Sequence, residues 1–99
     1  MNQFDSTEIF DKWITKLKDR TGKANIFLRI DRAKRGLFGD CKSVGKEVFE
    51  MRISVGPGYR VYYTQVGDRL YFLLAGGDKS SQKRDIKKAH ELAAEIKEE

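Results

Sequence analysis

Residues 48–66 read Val-Phe-Glu-Met-Arg-Ile-Ser-Val-Gly-Pro-Gly-Tyr-Arg-Val-Tyr-Tyr-Thr-Gln-Val, and their period decides the fold. Phe49, Met51, Ile53 and Val55 alternate with Glu50, Arg52 and Ser54, the repeat of a strand that buries one face. Gly56-Pro57-Gly58 reads as a turn, and Tyr59 to Val66 as the returning strand. Gly67-Asp68 is a two-residue hairpin signal. Leu70 to Ala75 follows, apolar on both faces as a central strand is. Upstream, Asp40 to Val44 reads as a short strand. The first residues, Met1 to Phe4, carry only a weak edge-strand signal.

The two turns set an expected register. A three-residue Gly-Pro-Gly loop places Val55 opposite Tyr59 and Arg52 opposite Tyr62. A two-residue Gly-Asp loop places Tyr62 opposite Leu73 and Arg60 opposite Ala75. One face then carries Phe49, Met51, Ile53, Val61, Tyr63, Phe72 and Leu74, and is expected to be the core. The other carries Glu50, Arg52, Ser54, Arg60, Tyr62, Thr64, Tyr71, Leu73 and Ala75, and extends by parity to Lys79. Arg52 and Arg60 become diagonal neighbours, about 7–8 Å apart between α-carbons. Two like charges that close need either a neutralising carboxylate such as Glu50 or an anion between them. Tyr62, across from Arg52, is placed to stack on a base or to hydrogen-bond a phosphate.

On either side of the strands the period becomes helical. Asp5, Ser6 and Thr7 offer helix caps, and Ile9, Phe10, Trp13, Ile14 and Leu17 share one face. Gly22 is the expected stop. A second helix fits Lys23 to Lys34, with Ile26, Phe27, Ile30 and Ala33 inward and Gly36 beyond its end. Two helices joined so briefly are expected to form an antiparallel hairpin. A last helix fits Ser81 to Lys97, with Ile86, Ala89, Ala93 and Ile96 inward. The expected architecture is α+β: an N-terminal helical hairpin packed on a small antiparallel-rich sheet, with a C-terminal helix.

The chain has 99 residues, enough for one hydrophobic core and a single domain spanning 1–99. One Cys and one His cannot build a zinc site or an internal disulfide, so neither metal nor cofactor is expected. Cys41 is read as a small, partly buried residue. The apolar run at 70–75 is too short to cross a bilayer, and the N-terminus lacks the pattern of a secretory signal. The expectation is a cytoplasmic protein with no membrane partner. Net charge is +5, and residues 1–39 hold nine basic residues against five acidic ones. The excess favours an anionic partner and also suits an ordinary solvated surface.

Glu50-Met51-Arg52-Ile53, Gly56-Pro57-Gly58-Tyr59-Arg60-Val61-Tyr62-Tyr63 and Gly76-Gly77-Asp78-Lys79-Ser80-Ser81-Gln82 with Asp85-Ile86 together resemble the RelE/ParE toxin superfamily. The nearest pattern is its HigB-like branch, the phage-related addiction-module killer proteins. The resemblance covers roughly Phe10 to Ala94. It implies a toxin of a type II toxin–antitoxin pair, with a HigA-like helix-turn-helix antitoxin that reaches DNA on the toxin's behalf. HigB- and RelE-like members are metal-independent, ribosome-dependent mRNA endonucleases in which the ribose 2′-hydroxyl attacks the neighbouring phosphate. ParE-like members instead inhibit gyrase by protein–protein binding. A non-toxic relic that only binds its partner is a further alternative.

Carried over by position, Arg60 matches the arginine that contacts the scissile phosphate. Arg52 matches a basic strand position that holds RNA or stabilises charge, and Lys79 a basic residue after the central strand. Arg60, Lys79, Arg52 and Glu50 are thus the candidate catalytic residues. Tyr62, Arg52, Arg60 and Lys79 are the candidate RNA-binding ones. Glu50 stands where RelE-like members carry lysine, and the tyrosine of their last helix has no clear counterpart near Asp85, so the base stays open. Glu50 is its first candidate; a carboxylate that only neutralises Arg52 is the equal alternative.

Overall fold

The computed structural model describes residues 1–98. Strand β1 (Gln3–Ser6) leads into α1 (Glu8–Lys16) and α2 (Arg20–Lys34). Strands β2 (Cys41–Ser43), β3 (Val48–Ile53), β4 (Tyr59–Gln65) and β5 (Leu70–Asp78) follow, then a 3₁₀ turn (Lys79–Ser81) and α3 (Gln82–Glu98). The five strands form one sheet in the order β1-β5-β4-β3-β2, antiparallel except for the parallel β1–β5 pair. None of the described helices is long and apolar enough to cross a membrane.

The expected α+β architecture is the observed one, with the weak N-terminal signal resolved as a strand on the edge of β5. Thr7 caps α1 by accepting the Phe10 amide. That helix ends at Lys16, earlier than Gly22, because Asp19 starts the next helix by accepting the Gly22 amide at 3.0 Å. Gly22 therefore lies in the first turn of α2 instead of terminating α1. The Tyr59 ring lies where a side chain at Gly22 would go. Phe27, expected inward, is 51% exposed, while Ile26, Ile30 and Ala33 are buried.

Both hairpins depart from the expected register. Ile53 pairs with Tyr59 and Arg52 with Arg60, so the first connection takes in Ser54 and Val55 as well as Gly-Pro-Gly. The slip is even, so every β3 and β4 side chain keeps its face. In the second hairpin Gln65 pairs with Tyr71, an odd slip that reverses the outer part of β5. A bulge between Tyr62 and Tyr63 then restores parity, leaving Tyr62 opposite Ala75 and Arg60 opposite Gly77. Leu73 and Tyr71 consequently pack with the helical hairpin, and Phe72 and Leu74 on the opposite side, the reverse of the expected assignment.

The sheet is covered on both faces. Phe10, Ile14, Ile26 and Ile30 pack on Met51, Ile53, Val61 and Tyr63. On the other side α3 lays Ala89, Leu92 and Ala93 on Val48, Tyr62 and Leu74. The face expected to be open is thus roofed along much of its length. Gly76 and Gly77 permit this double covering: a Cβ on Gly76 would meet the Trp13 ring of α1, and one on Gly77 would meet Asp85 and Ser81 at the start of α3.

Candidate functional site

α3 starts over Glu50 at Gln82 and runs toward Glu47, so it leaves the Arg52–Arg60 end of the sheet only partly covered. Arg52 and Arg60 are directly opposed, a closer arrangement than the diagonal one expected, about 4.5–5.5 Å between α-carbons. Two carboxylates separate their charges. Arg52 bonds Asp40 at 2.9 Å, with its side chain 37% exposed. Arg60 bonds Glu50 at 3.0 Å, with its side chain 12% exposed. Glu50 thus neutralises Arg60, not Arg52.

Glu50 is fully buried, and both its oxygens are occupied. Oε1 accepts from Arg60 Nη1; Oε2 accepts from the Tyr62 hydroxyl at 3.1 Å and from Gln82 Nε2 at 2.8 Å. A buried carboxylate without such donors would be strongly destabilising. The Tyr62 ring is also fully buried, under α3. It offers no surface for base stacking: the alternation of β4 puts Tyr62, between Val61 and Tyr63, on the face that α3 covers. Burial, then the Glu50 carboxylate, push the Tyr62 hydroxyl well above its ordinary range, so it stays a donor.

One hydrogen-bonding group in this network is left over. Arg60 Nε is buried and has no partner among the described residues. Leaving such a donor unpaired costs about 1–3 kcal/mol. With Nη1 turned to Glu50 and Nε buried, Nη2 is the guanidinium nitrogen left for an oxyanion to reach. Arg60 lines a cleft of about 300 Å³ together with Asp40, Arg52, Ile53, Ser54, Gly58 and Tyr59. A larger hollow of about 420 Å³, bounded by Glu47, Gln65, Asp68 and Lys97, lies at the far end of the same strands and has no comparable buried cation.

Lys79 is exposed and lies outside β5, in the 3₁₀ turn, so strand parity does not set its direction. It stands beside the cleft: a Cβ on Gly58 would come 3.9 Å from that of Lys79. Asp78 fixes the turn by accepting from the Ser80 hydroxyl and amide, which hold its carboxyl below the usual range. On the other flank the Tyr59 hydroxyl donates to Asp19 at 2.8 Å, anchoring the residue before Arg60 to the cap of α2. His90, the single histidine, pairs with the Val44 carbonyl at the opposite end of β3.

Three contributors escaped the sequence reading. Asp40 was read only as the start of a strand, and Gln82 only as part of a resemblance string. Asp19 falls inside the expected first helix, which runs to Gly22, and carries no role there. The signal for Asp19 was its spacing of three from Gly22, a capping pattern. For Gln82 it was the pair of glycines before the helix, since residues without a Cβ let two backbones approach closely.

The family model "Phage derived protein Gp49-like (DUF891)" matches residues 12–97, which take in Glu50, Arg52, Arg60, Lys79 and Gln82. The chain belongs to this family. Gp49-like proteins are of the toxin–antitoxin, HigB/RelE-like type. An uncharacterized protein of Haemophilus influenzae is 50% identical to the chain over 94 residues, 95% of either sequence. Membership in the Gp49-like family thus agrees with the resemblance drawn from the strand and turn strings.

Proposed function

We propose that this Gp49-like chain is the toxin of a type II toxin–antitoxin pair and an mRNA endonuclease acting on the ribosome, without a metal. The observation that carries the reading is Arg60, a guanidinium held against a buried carboxylate, with its Nε unpaired and its side chain lining a cleft. The reaction requires the ribose 2′-oxygen to bond to phosphorus as the bond from phosphorus to the 5′-oxygen breaks. One proton leaves the 2′-hydroxyl and one reaches the departing oxygen, giving a cyclic phosphate and a 5′-hydroxyl end. Negative charge accumulates on the phosphoryl oxygens in between. Arg60 Nη2 is the nitrogen left to meet one of those oxygens, and charge held in place before the reaction is usually the largest catalytic contribution. Arg52 and Lys79, more exposed, hold the RNA backbone on either side. Glu50, with both oxygens committed, serves as the brace of Arg60 and not as the base.

The partners in this reading are mRNA on the ribosome and a HigA-like helix-turn-helix antitoxin, through which any contact with DNA is made. The setting is cytoplasmic, and residues 1–99 act as one toxin domain. Mapping mRNA 5′ ends after induction tests the reading. Discrete, codon-linked breaks in translated messages are expected. DNA breaks with intact messages would instead mark a gyrase inhibitor, and neither kind of break a partner-binding relic. Arg60→Ala or Lys79→Ala should restore growth; full arrest by both variants would contradict the assigned site.

A further inference from the structure

The Gly76-Gly77-Asp78-Lys79-Ser80-Ser81-Gln82 segment does more than end a strand. Gly77 lets the first turn of α3 settle against the backbone of β5, with Ser81 bonded to Asp85 at 2.5 Å. Asp78 tightens the turn before it. Together they deliver the Gln82 side chain across β4 to β3, where its amide meets Glu50 Oε2. Of the three groups that bond Glu50, Tyr62 is fixed in the core and Arg60 is the group being held. Gln82 alone reaches the carboxylate from outside the sheet.

We propose that Gln82 is a positioning residue for Arg60. By donating to Oε2 it keeps the Glu50 carboxylate turned so that Oε1 faces Arg60 Nη1. That contact in turn fixes the guanidinium, with Nε buried behind it and Nη2 left for the cleft. Gln82 itself touches no substrate; its effect passes through Glu50. The inference rests on the reading of Arg60 as the phosphate-facing group, but the geometry it describes is measurable without any cleavage.

Gln82→Met keeps the length and flexibility of the side chain and removes the donor. A methionine at this helix start should leave the fold intact, with the thermal midpoint lowered by roughly 6–24 °C for the loss of one hydrogen bond to a buried charge. Two measurements then apply. The first is the Arg60 Nε–H resonance in nitrogen-15 spectra, which burial protects from exchange with solvent. It should be sharp in the wild-type chain and broadened or absent in Gln82→Met, as the guanidinium begins to rotate. The second is cleavage of a ribosome-bound message, set against affinity for a trinucleotide blocked at its 2′-oxygens. Cleavage should fall about 10- to 100-fold, the usual consequence of a misplaced reacting group. Trinucleotide affinity, carried mainly by Arg52 and Lys79, should stay within about twofold, well below the tenfold step that 1.4 kcal/mol represents.

An unchanged Arg60 resonance in Gln82→Met would overturn the proposal, as would equal losses of affinity and cleavage. Should Gln82→Met fold poorly, Gln82→Ala carries the same expectations. If the wild-type chain cleaves no message at all, the functional reading fails, and the resonance still decides the role of Gln82.

Discussion

On the face toward α1 and α2, Met51, Ile53, Val61 and Leu73 meet Phe10, Ile14, Ile26 and Ile30 in an apolar layer. On the face toward α3, the same strands begin in the same way, with Val48 and Leu74 against Ala89 and Leu92, and then change character at Glu50 and Arg60. The first face follows from burying apolar area alone. The second holds an ion pair and a tyrosine hydroxyl in a place that well-packed aliphatic side chains would fill at equal or lower free energy. A fold that needed only stability has no use for that arrangement, and the unpaired Nε of Arg60 adds to its cost. The proposed site rests on that difference, at one end of one face.

The contrast can be broken from either side. Arg60→Ala should have the largest effect on stability, about 3–5 kcal/mol by urea denaturation, because it leaves the Glu50 charge buried and unpaired. Ile26→Ala attacks the other face and should cost about 2–5 kcal/mol, with cleavage per folded molecule unchanged. If Ile26→Ala altered the cleavage rate of the folded fraction, the two faces would not be separable in the way described.

A pH series sharpens the comparison at the joint between the faces. Burial, and after it the hydrogen bond to Asp19, push the Tyr59 hydroxyl up to about 12. An unfolded tyrosine titrates near its ordinary value of about 10. The unfolded chain therefore loses its proton first, and stability present below about pH 10 falls as the pH rises toward 12. Burial also raises Tyr62 and Tyr63, so Tyr59→Phe should make this alkaline decline shallower without removing it. An equally steep decline in Tyr59→Phe would contradict the role given to the Asp19 contact. The smallest expected effect is that of Arg52→Ala, about 0.2–1 kcal/mol, because its pair with Asp40 is open to solvent.

The strands and helices were legible because their apolar residues repeat at the periods of extended and helical backbone. Pairing was less so. Gly-Pro-Gly marked the first turn but not that Ser54 and Val55 join it, and only the even size of that slip kept Arg52 and Arg60 on one face. The bulge beside Tyr62 left no mark in residue type, since Leu73, Leu74 and Ala75 suit either side of a central strand. The depth of each charge was not legible at all. Glu50 and Arg52 look alike as polar residues two apart on a strand, yet α3 closes over one and leaves the other in water. That outcome depends on where Gly77 lets a distant helix come to rest, which is set by packing and not by local pattern.

The central claim is that Arg60 divides a planar fork between Glu50 and a phosphate, whereas Arg52 contributes charge alone. Lysine keeps the charge and loses the fork. Single-turnover cleavage of a ribosome-bound message should therefore drop about 10²–10³-fold in Arg60→Lys and stay within a few-fold of wild type in Arg52→Lys. Full activity in Arg60→Lys, or a deeper loss in Arg52→Lys, would contradict the account.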